Sequence, residues 1–305
     1  MEAVGTAEVS RVLGLDIGGT STRARLVAGS GVVGDATAAS ASLTAAGPER
    51  ASAALDELLA GLPGLDSPLD AVCAGAAGSR TAREAADFLR ARLEPITRSG
   101  NVLVVDDAAL VLPAAGLAEG IAVICGTGTI AAGTWRGREA RAGGWGYLLG
   151  DEGSGYWIVR EAVRALLGRR ERGLPPGDLG ARLLGAASAP DLDALRAALL
   201  RSPEPGMWAR YAPAVLDSCD PEVVGLAGRA AGHLAALAAR VALQFEAELP
   251  VVLAGGLMAN ERLSSASVAA ISVQVPASSV RVLSEPPVTG AVRLAQAAAA
   301  RQPWP

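Results

Sequence analysis

Apolar and polar positions alternate in three short runs at the start of the chain. Residues 12–15 are apolar and close on Asp16, residues 22–27 alternate, and residues 32–36 follow the turn Gly29-Ser30-Gly31. Period-two runs joined by tight glycine turns predict an antiparallel meander. The period then lengthens. After Gly47-Pro48-Glu49, the leucines 55, 58 and 59 fall on one helical face. Residues 69–74 predict a strand, 81–93 a helix, 102–105 a strand and 108–117 a helix. Strands alternating with helices indicate an α/β layer around a central sheet.

The pattern restarts near residue 121. Residues 121–125 predict a strand, Gly126-Thr127-Gly128-Thr129 a glycine turn, residues 130–135 a second strand, and Arg136-Gly137-Arg138 a hairpin into a third. This coarse duplication predicts two similar domains, 1–116 and 117–305. The second adds helices over 153–167, 178–184, 191–200 and 222–248, a strand over 251–254 and a helix near Glu261. The last helix, 290–300, is free to pack back on the first domain. Pro175-Pro176 and Ser202-Pro203-Glu204-Pro205 read as loop breakers between helices.

Composition narrows the chemistry. All 27 basic residues are arginine, and there is a single histidine, His233. Without lysine there is no Walker-A loop, no protein-kinase lysine and no Schiff base on pyridoxal phosphate. One histidine cannot build a multi-histidine zinc centre, and His233, on an Ala- and Leu-rich helix, reads as a packing residue. The net charge of −4 without a basic run argues against a nucleic-acid partner. Cys73, Cys125 and Cys219 form no CxxC pair, and each reads as a small buried hydrophobe. The apolar stretch 226–249 is broken by Arg229, His233, Arg240 and Glu246, so no membrane span is expected. Residues 1–10 are polar without a signal-peptide pattern, and a soluble, cytoplasmic protein is the expectation.

What remains is carboxylates, hydroxyls and backbone amides. In Asp16-Ile17-Gly18-Gly19-Thr20, two glycines let the backbone approach an anion, and the threonine hydroxyl donates to it. Asp16 is positioned for a hydrated Mg²⁺ beside phosphates. Gly126-Thr127-Gly128-Thr129 repeats the design at the equivalent place, so that the two turns describe a cleft gripping one phosphate chain from both sides. Leu253-Ala254-Gly255-Gly256 offers a surface bare of side chains, suited to adenine and ribose. Asp106-Asp107 ends a strand and starts a helix; one aspartate would cap and the other could serve as a general base. The glycine- and aromatic-rich run 143–157, with Asp151 and Glu152 inside it, reads as a sugar-binding loop and not as core.

Asp16-x-Gly-Gly-Thr20, Asp107-Ala108, Gly126-Thr127-Gly128, the run 143–157 and Ala254-Gly255-Gly256, in this order and spacing, resemble the N-acetylglucosamine kinases. These belong with the BadF/BadG/BcrA/BcrD-type ATPases in the actin, sugar-kinase and Hsp70 superfamily. The resemblance runs from Leu13 to about Ala297. It implies two ribonuclease H-like (actin-like ATPase) α/β domains flanking an interdomain cleft that closes on ATP, Mg²⁺ and a sugar. By the same resemblance Asp107 is the base that deprotonates the sugar 6-hydroxyl. Gly18, Gly19, Thr20, Gly126, Thr127 and Gly128 hold phosphates, and Gly255 and Gly256 the adenosine. Ser42, Thr129, Gly144, Trp145 and Asp151 face the sugar, and the protein is a homodimer. Ser42 stands where the family often has asparagine, which keeps glucosamine, N-acetylmuramic acid and glucose open beside N-acetylglucosamine. Asp106 replaces asparagine or threonine, and a second carboxylate there can raise the pKa of Asp107. Two other readings are an activator ATPase, disfavoured because the cysteines do not cluster, and a non-catalytic sugar sensor.

Overall fold

A computed structural model describes residues 10–78, 83–201, 204–275 and 279–301. The chain forms two compact units, residues 1–118 with 284–305, and residues 119–283.

The first unit is built on a five-stranded sheet. Its strands are β1 (Arg11–Ile17), β2 (Ser21–Ala28), β3 (Gly31–Ala39), β4 (Ala71–Ala76) and β5 (Val102–Val105), in the order β3-β2-β1-β4-β5. The meander β1–β2–β3 is antiparallel, whereas β4 and β5 run parallel to β1. Alternation along β1 sends Leu13, Leu15 and Ile17 to one face, where they meet Leu55 and Leu58 of helix Pro48–Ala60 and Leu89 and Leu93 of helix Arg83–Leu93. Val12 and Gly14 point the other way, toward helix Pro287–Ala299. That helix lies so close that a Cβ at Gly14 would sit 2.6 Å from the Val292 amide nitrogen.

The second unit repeats the plan. Strands β6 (Gly120–Cys125), β7 (Thr129–Trp135), β8 (Arg138–Gly143), β9 (Val251–Ala254) and β10 (Val280–Val282) take the order β10-β9-β6-β7-β8. The first three are antiparallel, and β9 and β10 run parallel to β6. The β7–β8 turn has Arg136 at φ 49° and Gly137 at φ 73°, the two left-handed residues of a type I′ hairpin. The 25-residue helix Pro221–Phe245 contributes Leu226, Leu234, Ala238 and Val241 to the core, together with Ile158, Val159 and Leu166 of helix Gly155–Glu171.

Several expectations need correction. The helix expected over 108–117 is a 3₁₀ turn, Asp107–Leu110, followed by one α-turn, Val111–Ala114. Pro113 supplies no amide there, and Gly116 at φ 73° ends it. The break expected at 202–205 separates helix Leu192–Arg201 from helix Pro205–Ala209, whose first position Pro205 occupies, where the missing amide costs nothing; Ser202 and Pro203 lie outside the described residues. Helices Leu43–Ala46 and Ala212–Leu216 and strand β10 are too short to leave a periodic trace. Cys73 and Cys125 are buried as expected, but Cys219 is exposed, in the loop ahead of helix Pro221–Phe245. Among the described residues no helix is long and apolar enough to cross a membrane.

Candidate active site

In the first unit the parallel strands β1, β4 and β5 deliver their carboxyl ends to one edge, where α/β sheets place ligands. Asp16 pairs in register with Gly75, and Gly75 with Val105, so the ends carrying Asp16 and Asp106-Asp107 converge. Asp106 is the N-cap: its backbone is extended, and its Oδ1 accepts from the Ala108 amide at 3.3 Å. Asp107, next to it, is not the cap, and its carboxyl is hydrogen-bonded with Asp106 and with the Ala108 amide. It retains some solvent-facing surface but is densely surrounded by protein. Burial pushes its carboxyl up to about 7, with the charge and hydrogen bond of Asp106 and the charge of Asp16 adding to the effect and the Ala108 amide opposing it. Burial also raises the Asp16 carboxyl, partly offset by the Arg23 charge.

The turn Gly18-Gly19-Thr20 joins β1 to β2, with the Gly18 amide bonded to Ser21 O at 3.0 Å. Gly18 and Gly19 avoid the left-handed region, and a Cβ at Gly19 would meet nothing within 4 Å. Local conformation and packing therefore leave Gly19 unexplained, which is what close approach of a ligand would produce. Ser42 is buried. Its hydroxyl lies 3.0 Å from that of Thr44, which is exposed. Sequence reasoning missed the support behind this segment. Ser40 Oγ donates to Gly18 O at 2.7 Å and accepts from the Ser42 amide at 3.2 Å, while Thr22 Oγ1 accepts from the Ala41 amide at 2.8 Å. In an alternating strand pattern these hydroxyls look solvent-facing, and only the topology reveals them as a staple under the turn.

In the second unit Gly126 follows β6 and Gly255-Gly256 follow β9, so these two turns lie side by side. A Cβ at Gly126 or Gly256 would meet nothing within 4 Å, whereas Gly255 takes φ 104° and its Cβ would run into the backbone of Cys125. Thus Gly255 is required by packing, and Gly256 is the open face. Thr129 is buried. Its amide donates to Asp151 Oδ1 at 3.0 Å and its hydroxyl to Glu152 O at 3.2 Å. Burial raises the Asp151 carboxyl, the Thr129 amide lowers it and the Glu152 charge raises it. The Gly144 amide donates to Thr129 O at 2.9 Å, and the side chain of Trp145 stands in solvent, 74% exposed.

The helix expected over 153–167 is found at Gly155–Glu171, and the reading of 143–157 as lying outside the core is corrected at its last residues. Helix Gly155–Glu171 begins inside it, with Ser154 Oγ capping the Trp157 amide at 3.1 Å. Trp157 is a core residue stacked edge-on against His233, ring centres 5.2 Å apart. Tyr147, Tyr156 and Trp208 form a separate ring cluster. Among the described residues no three metal-ligating side chains group together.

Comparison with known proteins follows the same lines. The model of the BadF/BadG/BcrA/BcrD ATPase family matches residues 13–173. An N-acetylmuramic acid/N-acetylglucosamine kinase of Clostridium acetobutylicum is 35% identical over 181 residues, 55% of this chain and 58% of that protein. An N-acetyl-D-glucosamine kinase of Dictyostelium discoideum is 39% identical over 94 residues, 30% of each. The chain thus spans little more than half, or less, of the curated relatives it matches. A Chromobacterium violaceum structure, provisionally described as an N-acetylglucosamine kinase, is 28% identical with a TM-score of 0.76 over 95% of this chain and 100% of that one. The fold is therefore the α/β architecture of two ribonuclease H-like units.

Proposed function

The chain belongs to the BadF/BadG/BcrA/BcrD ATPase family, and on that premise we propose that it is an ATP-dependent sugar kinase acting on the 6-hydroxyl of an amino sugar, N-acetylglucosamine before glucosamine, N-acetylmuramic acid or glucose. Asp107 carries the reading. Its carboxyl stands at the carboxyl end of a parallel strand, beside the capping Asp106, with its pKa pushed up to about 7. A base with that pKa is half ionised at neutral pH and near optimal for taking an alcohol proton. The sugar oxygen gives its proton to Asp107 and bonds to the γ-phosphorus; the bond to the β–γ bridging oxygen breaks, and ADP leaves. Such a transfer needs positioning and charge but no covalent nucleophile.

The open glycines support the same assignment. Gly19 and Gly126 let phosphates reach backbone amides, and Gly256 offers a bare surface to adenosine. Asp151 receives sugar hydroxyls, with Gly144 and Trp145 beside it. Mg²⁺ usually takes one or two carboxylates and keeps several waters. Asp16 suits it, because its carboxyl is buried enough to gain from a neighbouring cation. Bound there, the ion would neutralise phosphate charge.

A coupled ADP-release assay over hexoses and amino sugars tests the reading. Turnover stimulated by N-acetylglucosamine and abolished in Asp107→Asn is expected. ADP release indifferent to every sugar would overturn it.

A further inference from the structure

We propose that Thr129 is a positioning residue that holds the Asp151 carboxylate in place, and not a sugar contact. The inference rests on the sugar-kinase reading, in which Asp151 receives the sugar, and assigns what keeps that carboxylate aimed. Asp151 has φ 62°, in the left-handed region that residues with a Cβ seldom occupy. Such a backbone persists only where its surroundings hold it.

Thr129 supplies the hold from both sides of one peptide. Its amide bonds the Asp151 carboxylate at 3.0 Å, and its hydroxyl bonds the next carbonyl, that of Glu152, at 3.2 Å. A threonine hydroxyl has one proton, and this one is committed; the side chain is also only 3% exposed. A sugar bond donated by it would require breaking the bond to Glu152. Gly128 clears the space, since a Cβ there would lie 2.7 Å from Asp151 Oδ2. Neighbouring bonds bring the same segments together: the Gly155 amide to Gly126 O at 2.8 Å, Cys125 Sγ to Gly153 O at 3.4 Å and the Ser154 amide to Asp151 O at 3.1 Å. With Oδ1 occupied by the Thr129 amide, Oδ2 is the oxygen left for a sugar hydroxyl. β-branching, which stiffens χ1, suits a residue that must point its hydroxyl in one direction.

Steady-state kinetics on the full chain separate this role from general loop stability, and adding Thr129→Val to Asp151→Ala separates it from direct contact. In that double variant positioning predicts no further rise in the sugar KM, and an additive rise overturns it. Thr129→Val keeps the amide and loses the hydroxyl. The sugar KM is expected to rise about tenfold, the loss of roughly one hydrogen bond's worth of orientation, with the ATP KM within about twofold of wild type. Thr129→Ser, which restores the hydroxyl, should return the sugar KM close to wild type. Thr129→Ala, which fits any space the threonine fills, reads the same loss if the valine variant does not fold. An unchanged sugar KM, an equal rise in both KM values, or a serine variant as impaired as valine overturns the proposal. A wild-type protein without sugar-stimulated turnover overturns instead the reading on which it rests.

Discussion

On the proposed sugar-kinase reading, replacing Asp107 by asparagine should abolish most turnover and, above a certain pH, stabilise the protein. Loss of a general base costs typically about 10²–10⁴-fold in rate. The stability effect follows from the buried carboxyl. In the unfolded chain Asp107 loses its proton near 3.8, while in the folded unit it holds it until about 7. Between those values the folded state binds more protons than the unfolded state, so folding stability falls as pH rises. At about 1.4 kcal/mol per pH unit, the difference between 3.8 and about 7 amounts to about 4 kcal/mol. That is an upper bound, because part of the effect comes from neighbouring charges, which salt screens. The penalty is fully in force above pH 7 and absent below pH 4. Asparagine carries no charge and escapes it. Melting curves of both proteins should therefore coincide near pH 3 and separate progressively toward pH 8. At about 2 °C per kcal/mol for a chain of this size, the variant should melt up to about 8 °C higher. In parallel, wild-type kcat/KM should fall tenfold per pH unit below about 7, since the free enzyme must present the carboxylate. Melting curves displaced equally at every pH, or a kcat/KM flat from pH 5.5 to 8, would refute the assignment of a buried, proton-accepting Asp107.

Three further outcomes are expected. Asp106→Asn removes the neighbouring charge but leaves burial, the largest cause of the raised pKa, so the acid limb of kcat/KM should move below pH 7 without vanishing; an unmoved limb counts against coupling of the pair. Gly255→Ala should destabilise the second unit by several kcal/mol, through a strained φ and collision with the Cys125 backbone, whereas Gly256→Ala should melt normally and weaken only nucleotide binding, as thermal melts and ATP titrations will distinguish. A thiol reagent such as 5,5′-dithiobis-(2-nitrobenzoate) should label Cys219 quickly and the other two cysteines only after denaturation, because burial removes Cys73 and Cys125 from solvent and pushes both thiols up to about 12; rapid labelling of all three in the native protein would contradict the packing.

How far a site could be read from the chain depended on whether local pattern or distant packing explains each residue. The convergence of the strand ends carrying Asp16 and Asp107 was legible because a carboxylate closing an apolar strand has no place in the core, and parallel strands bring such ends together. In the run 143–157 the helix start was legible to within two residues, but the burial of Trp157 was not. The signal for the start was present in Ser154, a good cap three residues before Trp157, but nothing local says that Trp157 turns inward to meet His233, 76 positions later. Ser40 and Thr22 were illegible for a related reason: their partners, Gly18 and Ala41, lie across a turn whose geometry exists only once β1, β2 and β3 have paired. Gly255 and Gly256 make the point most sharply. They are the same letter in adjacent positions, and the motif assigns them one role. Yet Gly255 is glycine because the backbone of Cys125, on a strand 130 residues earlier, occupies the space of its side chain, and Gly256 faces nothing within 4 Å. The first is dictated by the fold and the second is free of it, so a binding role is argued from Gly256 alone.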